Sequence, residues 1–64
     1  MKKTYFVKVQ KTEWYSDDFT AKTLRAAKIM ASKLCNDDKF ALYEKYGANS
    51  ETVAIKEDGK WCNI

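Results

Sequence analysis

The sequence predicts an α+β domain, a four- to five-stranded mostly antiparallel sheet with one helix packed on one face. Three features carry that expectation. Residues 3–10 alternate apolar and polar side chains, the two-residue rhythm of a strand. Residues 23–36 space apolar side chains three and four apart, the rhythm of a helix. Asp58-Gly59 sits between two alternating runs and marks a two-residue type I′ hairpin turn.

Taken in order, the first strand puts Tyr5, Val7 and Val9 on one face, with Phe6, Lys8 and Gln10 on the other. Residues 11–13 are polar and turn the chain. Trp14 to Ala21 reads as a second strand, with Tyr15, Phe19 and Ala21 on a common face. Thr23 is the expected N-cap of a helix that reaches Asn36, since its hydroxyl can accept an unpaired backbone N–H. Leu24, Ala27, Ala31, Leu34 and Cys35 form the stripe expected on the sheet, with Met30 at its edge. Arg25, Lys28, Ser32 and Asn36, with Ile29 beside them, form the expected wet side. Asn36-Asp37-Asp38 stops the helix. Phe40 to Tyr46 reads as a third strand, Gly47-Ala48-Asn49-Ser50 as a loop and Thr52 to Glu57 as a fourth strand.

The hairpin turn then fixes a register: Glu57 opposes Lys60, Lys56 opposes Trp61, Ile55 opposes Cys62 and Val53 opposes Ile64. Opposed residues share a face. Val53, Ile55, Cys62 and Ile64 are therefore expected inside, with Ala54, Lys56, Trp61 and Asn63 pointing away.

The 64 residues suit a single small domain, 1–64, of ordinary globular composition. No apolar run is long enough to span a bilayer, and no secretory core follows Met1-Lys2-Lys3, so a cytoplasmic protein is expected. Net charge is +3. It is unevenly spread: residues 1–33 hold eight basic and three acidic residues (+5), residues 34–64 four and six (−2). Such asymmetry suits one positive face, which could meet nucleic acid or an acidic protein surface, or simply be solvated.

Little in the chain suits catalysis. There is no His, so Ser16, Ser32 and Ser50 have no imidazole base, and Cys35 and Cys62 alone cannot complete a zinc site. Asp17-Asp18 and Asp37-Asp38 have the spacing of capping and turn residues. Gly47 and Gly59 are the only glycines, too few for a phosphate loop. No enzyme, no cofactor, no metal and no small-molecule substrate is expected. The two cysteines read as buried free thiols, with a single bridge between them left open.

Two binding surfaces stand out. On the outer helix, Lys22, Arg25, Lys28, Ile29, Ser32 and Lys33 set an apolar side chain among cations, as at a protein–protein contact. An ordinary surface helix with one exposed isoleucine has the same pattern. On the sheet face away from the helix, Phe6, Lys8, Lys56 and Trp61 would offer aromatics among lysines if they cluster. Such a face can stack single-stranded bases, or its aromatics can pack on each other.

Three stretches together suggest a family: Lys3-Thr4-Tyr5-Phe6-Val7-Lys8-Val9-Gln10, Thr23-Leu24-Arg25-Ala26-Ala27-Lys28-Ile29-Met30-Ala31-Ser32-Lys33, and Val53-Ala54-Ile55-Lys56-Glu57-Asp58-Gly59-Lys60-Trp61. In this order and at this length the chain resembles small phage-encoded anti-CRISPR proteins, closest to those acting on type I-F surveillance complexes. The resemblance implies a non-catalytic inhibitor that binds the Cas backbone subunits of a CRISPR–Cas ribonucleoprotein and blocks target DNA hybridisation. It implies partner contacts by Lys28 and Lys33. Ile29 and Cys35 depart from the pattern, where a basic and a polar residue are usual. With the residue reading, the expected partner-binding set is Arg25, Lys28, Ile29, Ser32 and Lys33, with Lys8 and Trp61 as secondary members. The alternative is a small phage or bacterial nucleic-acid-binding accessory protein that contacts DNA directly.

Overall fold

The computed structural model describes residues 2–63. The elements are β1 (Lys3–Val9), β2 (Trp14–Tyr15), β3 (Phe19–Ala21), α1 (Leu24–Leu34), β4 (Lys39–Tyr46), β5 (Asn49–Glu57) and β6 (Lys60–Asn63). The α+β class is as expected. One helix accompanies a six-stranded sheet of main order β2-β1-β4-β5-β6, with β3 also on β1. Every pairing is antiparallel.

The sixth strand arises because the expected strand Trp14–Ala21 is broken. The Ser16 N–H donates to the Val7 carbonyl at 2.9 Å, and Ser16 Oγ accepts the Val7 N–H at 2.8 Å. Ser16 thus takes both ladder groups of Val7, and β2 and β3 occupy separate halves of one edge. The break also separates residues expected together. Tyr15 pairs with Lys8, whereas Phe19 pairs with Tyr5 and stacks on it.

The main core holds Tyr5, Val7 and Val9 from β1, Phe40 and Leu42 from β4, Ala54 from β5, and Ala27 and Ala31 from α1. Thr23 caps the helix as expected, its Oγ1 accepting the Ala26 N–H at 3.1 Å. The helix ends at Leu34, two residues before Asn36. Cys35 is already extended, though its N–H still donates to the Ala31 carbonyl. Ala27 and Ala31 are fully buried, so helix and sheet approach closely. Leu34 is not on the sheet: it is 50% exposed, with Met30 at 37%. Lys28 and Ser32 are not on the far side: both are half-buried and reach β5 and β6. The helix is rolled so that this flank, rather than the leucine flank, leans on the sheet.

Asp58 (φ 53°) and Gly59 (φ 78°) both have the positive φ that a type I′ turn requires. The pairings Glu57–Lys60, Lys56–Trp61 and Ile55–Cys62 are as expected, while Val53–Ile64 lies outside the described residues. Which side faces inward is reversed at Ile55 and Cys62, whereas Val53, beyond the register shift, packs against the core as expected. Ala54 is fully buried in the core, Trp61 packs against it, and Cys62 is exposed. Ile55 is only half-buried. The cause is the register with β4: Lys56 pairs with Phe40 and Ala54 with Leu42, both core residues. A shift between Leu42 and Tyr43 then leaves Val53 without a partner, since Tyr43 pairs with Thr52. The loop expected at 47–50 is shorter as well, because Asn49 and Ser50 already belong to β5. Both cysteines are free, Cys35 buried and Cys62 exposed rather than both buried. Among the described residues no helix is long and apolar enough to cross a membrane.

Candidate functional site

The inward turn of Trp61 builds a groove between α1 and the last hairpin. The groove is open, about 430 Å³, and lined by Arg25, Lys28, Ile29, Ser32, Lys33 and Trp61. These are six of the seven residues nominated from the sequence. The helical turn brings five of them together, since positions 25, 28, 29, 32 and 33 share one face at three-to-four spacing. Trp61 arrives through the hairpin register, and neither element forms the groove alone.

The indole is held from several sides. Phe40 meets it edge-on, centroids 5.4 Å apart at 88°, the preferred T-shaped geometry. Lys28 Nζ lies 5.7 Å from the Trp61 centroid and also donates to Asn63 Oδ1. Lys56 Nζ lies 5.9 Å from the Trp61 centroid and 5.7 Å from that of Phe40, and donates to Ser32 Oγ at 3.4 Å. Each cation–π contact is worth about 0.5–1 kcal/mol where partly exposed, so together they hold the ring and both ammonium groups in place. The sequence pattern places Lys56 on the outer sheet face, apart from the helix set. Its cross-strand pairing with Trp61 was the signal that could have included it.

Among the described residues no side-chain ion pair within 4 Å engages the cations of this groove: the pairs are Lys3–Glu44, Lys39–Glu57 and Lys45–Asp18, none involving Arg25, Lys28, Lys33 or Lys56. Ile29, at 52% exposed, puts an apolar side chain in the middle of this rim.

Lys8 lies on the opposite sheet face. Its Nζ is 5.4 Å from the Tyr15 ring centroid, and its hydrogen bond with Tyr15 raises its pKa. Phe6, Lys8, Lys56 and Trp61 do not cluster, because Lys56 and Trp61 face the helix side. Phe6 instead stacks on its cross-strand neighbour Tyr43, centroids 5.0 Å apart and planes within 3°. That separation matches the spacing of adjacent strands. The two rings therefore stand side by side and cover each other's inner faces.

Asp18 and Ser16 each make contacts that hold the fold together. Asp18 binds Lys45 at 2.8 Å, and Ser16 patches the β1 edge. Among the described residues no group of three or more His, Cys, Asp or Glu is placed to hold a metal ion. Compared with protein-family models, curated proteins and solved structures, the chain matches none.

Proposed function

We propose that the protein is a non-catalytic inhibitor that binds a type I CRISPR–Cas surveillance complex and blocks target DNA hybridisation in the bacterial cytoplasm. The observation that carries this reading is the groove: Arg25, Lys28, Ile29, Ser32, Lys33 and Trp61 converge on one surface with an apolar floor and a cationic rim. A central apolar anchor with charged groups around it is the usual anatomy of a protein-binding patch.

Inhibition of this kind needs bulk rather than chemistry. The Cα extents are 30 × 21 × 20 Å, so at 3.4 Å per base step one bound molecule overlies about six to nine steps. That is close to the roughly 8–12 nucleotides of a guide's seed, where interference aborts pairing. One molecule seated beside the guide is therefore large enough to act by occlusion.

The test is binding of the pure protein to a purified type I-F surveillance complex. The double variant Lys28→Glu, Lys33→Glu should lose binding by at least about a hundredfold, since two attractive rim contacts become repulsive. Its circular dichroism should match the parent, because Lys33 is exposed and Lys28 only half-buried. Unchanged binding by the double variant removes the groove from the interface. Failure of the parent to bind the complex ends the reading altogether.

A further inference from the structure

We infer that the groove receives an acidic polypeptide segment carrying one large apolar side chain among its carboxylates. This deepens the docking reading above and rests on it. Three observations point to that occupant.

The first is charge complementarity. Arg25, Lys28, Lys33 and the adjoining Lys56 have no Asp or Glu partner among the described ion pairs, although the chain contains nine acidic residues. The positive rim is left for a group outside the chain. The second is the composition of the walls. Ile29 is half-exposed beside the indole of Trp61. A run of phosphates would satisfy the cations and leave this apolar surface in water. An aliphatic or aromatic side chain between two carboxylates satisfies both. The third is the way Trp61 is held. Lys28 and Lys56 sit within 6 Å of its centroid and Phe40 abuts it edge-on. Ammonium groups and Phe40 already lie against the indole and compete with a stacking nucleobase, whereas Ile29 lines the same groove and offers an apolar contact of its own. The volume of about 430 Å³ lies in the range of ordinary ligand pockets, and the open shape lets a chain cross it.

This occupant also fixes where the protein docks. A cationic groove is repelled by a basic channel that holds nucleic acid. The contact therefore falls on an acidic surface beside the DNA path, and the body of the domain overhangs that path.

The experiment uses the Trp14→Phe variant, which leaves Trp61 as the one remaining indole of the chain's two. It is titrated with an acetylated, amidated Glu-Asp-Leu-Asp-Glu peptide and followed by Trp emission and backbone amide NMR shifts. Companion probes are the same peptide with Ala for Leu, the peptide with Lys for every acid, and a short oligothymidylate. The acidic peptide should move the Trp61 emission and the amides of residues 25–33, with a Kd near or below about 1 mM. Loss of the leucine should weaken binding about tenfold, as removal of apolar contact from a fitted site does. The basic peptide should not bind, and Lys28→Glu with Lys33→Glu should abolish the response. Silence of the groove amides towards the acidic peptide overturns the inference, as does tighter binding there by oligothymidylate. If the surveillance complex binds while the peptide does not, the acidic occupant falls and the docking reading survives. If the peptide binds and the complex does not, the occupant stands and the CRISPR reading falls.

Discussion

Replacing Ala54 by Asp tests which side of the last hairpin faces the core. Ala54 has no exposed surface and packs in the main core cluster, while its neighbour Ile55 is half-buried on the opposite face. A fully buried carboxyl has its pKa raised by about 3–5 units, which at pH 7 costs up to about 4 kcal/mol because the acid must be protonated, and burying the neutral acid without a partner costs about 1–3 kcal/mol more. Ile55→Asp removes about half of a burial worth about 1.5–3 kcal/mol and leaves its carboxylate near water. Ile55→Asp carries a further strand-propensity penalty of up to about 1 kcal/mol, whereas Ala and Asp are both poor strand formers and Ala54→Asp carries little. A domain of 64 residues has about 3–10 kcal/mol in total. Ala54→Asp should therefore be largely unfolded in buffer, and Ile55→Asp should remain folded with a urea midpoint lower by about 1–2 M. Urea titration followed by far-ultraviolet circular dichroism reads both. If Ile55→Asp unfolds and Ala54→Asp keeps its midpoint within about 0.5 M, the inward face is the one side-chain bulk suggests, and the groove around Trp61 does not exist.

Two further predictions concern titration and thiol chemistry. Hydrogen bonding to the Glu44 carboxylate, then burial and the nearby Glu44 and Glu51 charges, push the Tyr46 phenol up to about 12 from 10.0. The folded state thus holds this proton more tightly than the unfolded chain. Its contribution is complete below pH 10 and is lost as pH rises towards 12, with burial of Tyr5 acting in the same direction. Urea midpoints should fall over that window, and Tyr46→Phe should flatten part of the fall; an unchanged slope in the variant refutes the assignment. In native buffer, Ellman's reagent should titrate one thiol per chain quickly, the exposed Cys62, and reach Cys35 only on unfolding. Two fast thiols, or none, contradicts the burial of these side chains.

Much of the fold is legible because local rules are strong where they apply. Thr23 caps the helix because its hydroxyl reaches the Ala26 N–H in the same turn, with no help from the rest of the chain. Asp58-Gly59 sets the hairpin register because few dipeptides tolerate two positive φ values in succession. Most of the candidate site is legible for a related reason. Helical spacing alone gathers Arg25, Lys28, Ile29, Ser32 and Lys33. The break at Ser16 is not legible in the same way. A serine in a polar stretch gives no sign that its hydroxyl will take a ladder bond from Val7 across nine residues.

What the sequence determines by itself is which residues travel together: the cross-strand pairs of β5 and β6, the cationic helix flank, the alternating face of β1. What only the tertiary structure decides is which way each set points. Alternation is symmetric, so a strand pattern with Ala54 and Trp61 on one side and Ile55 and Cys62 on the other reads equally well with either side inward. Bulk favours Ile55, and the register with β4 overrules it, because pairing Ala54 with Leu42 and Lys56 with Phe40 puts that side in the core. The same choice carries Trp61 from the open face to the helix, while Lys8 stays on the open face where the alternation of β1 puts it. Six nominated residues thereby share one groove, and the seventh stands on the far side of the sheet.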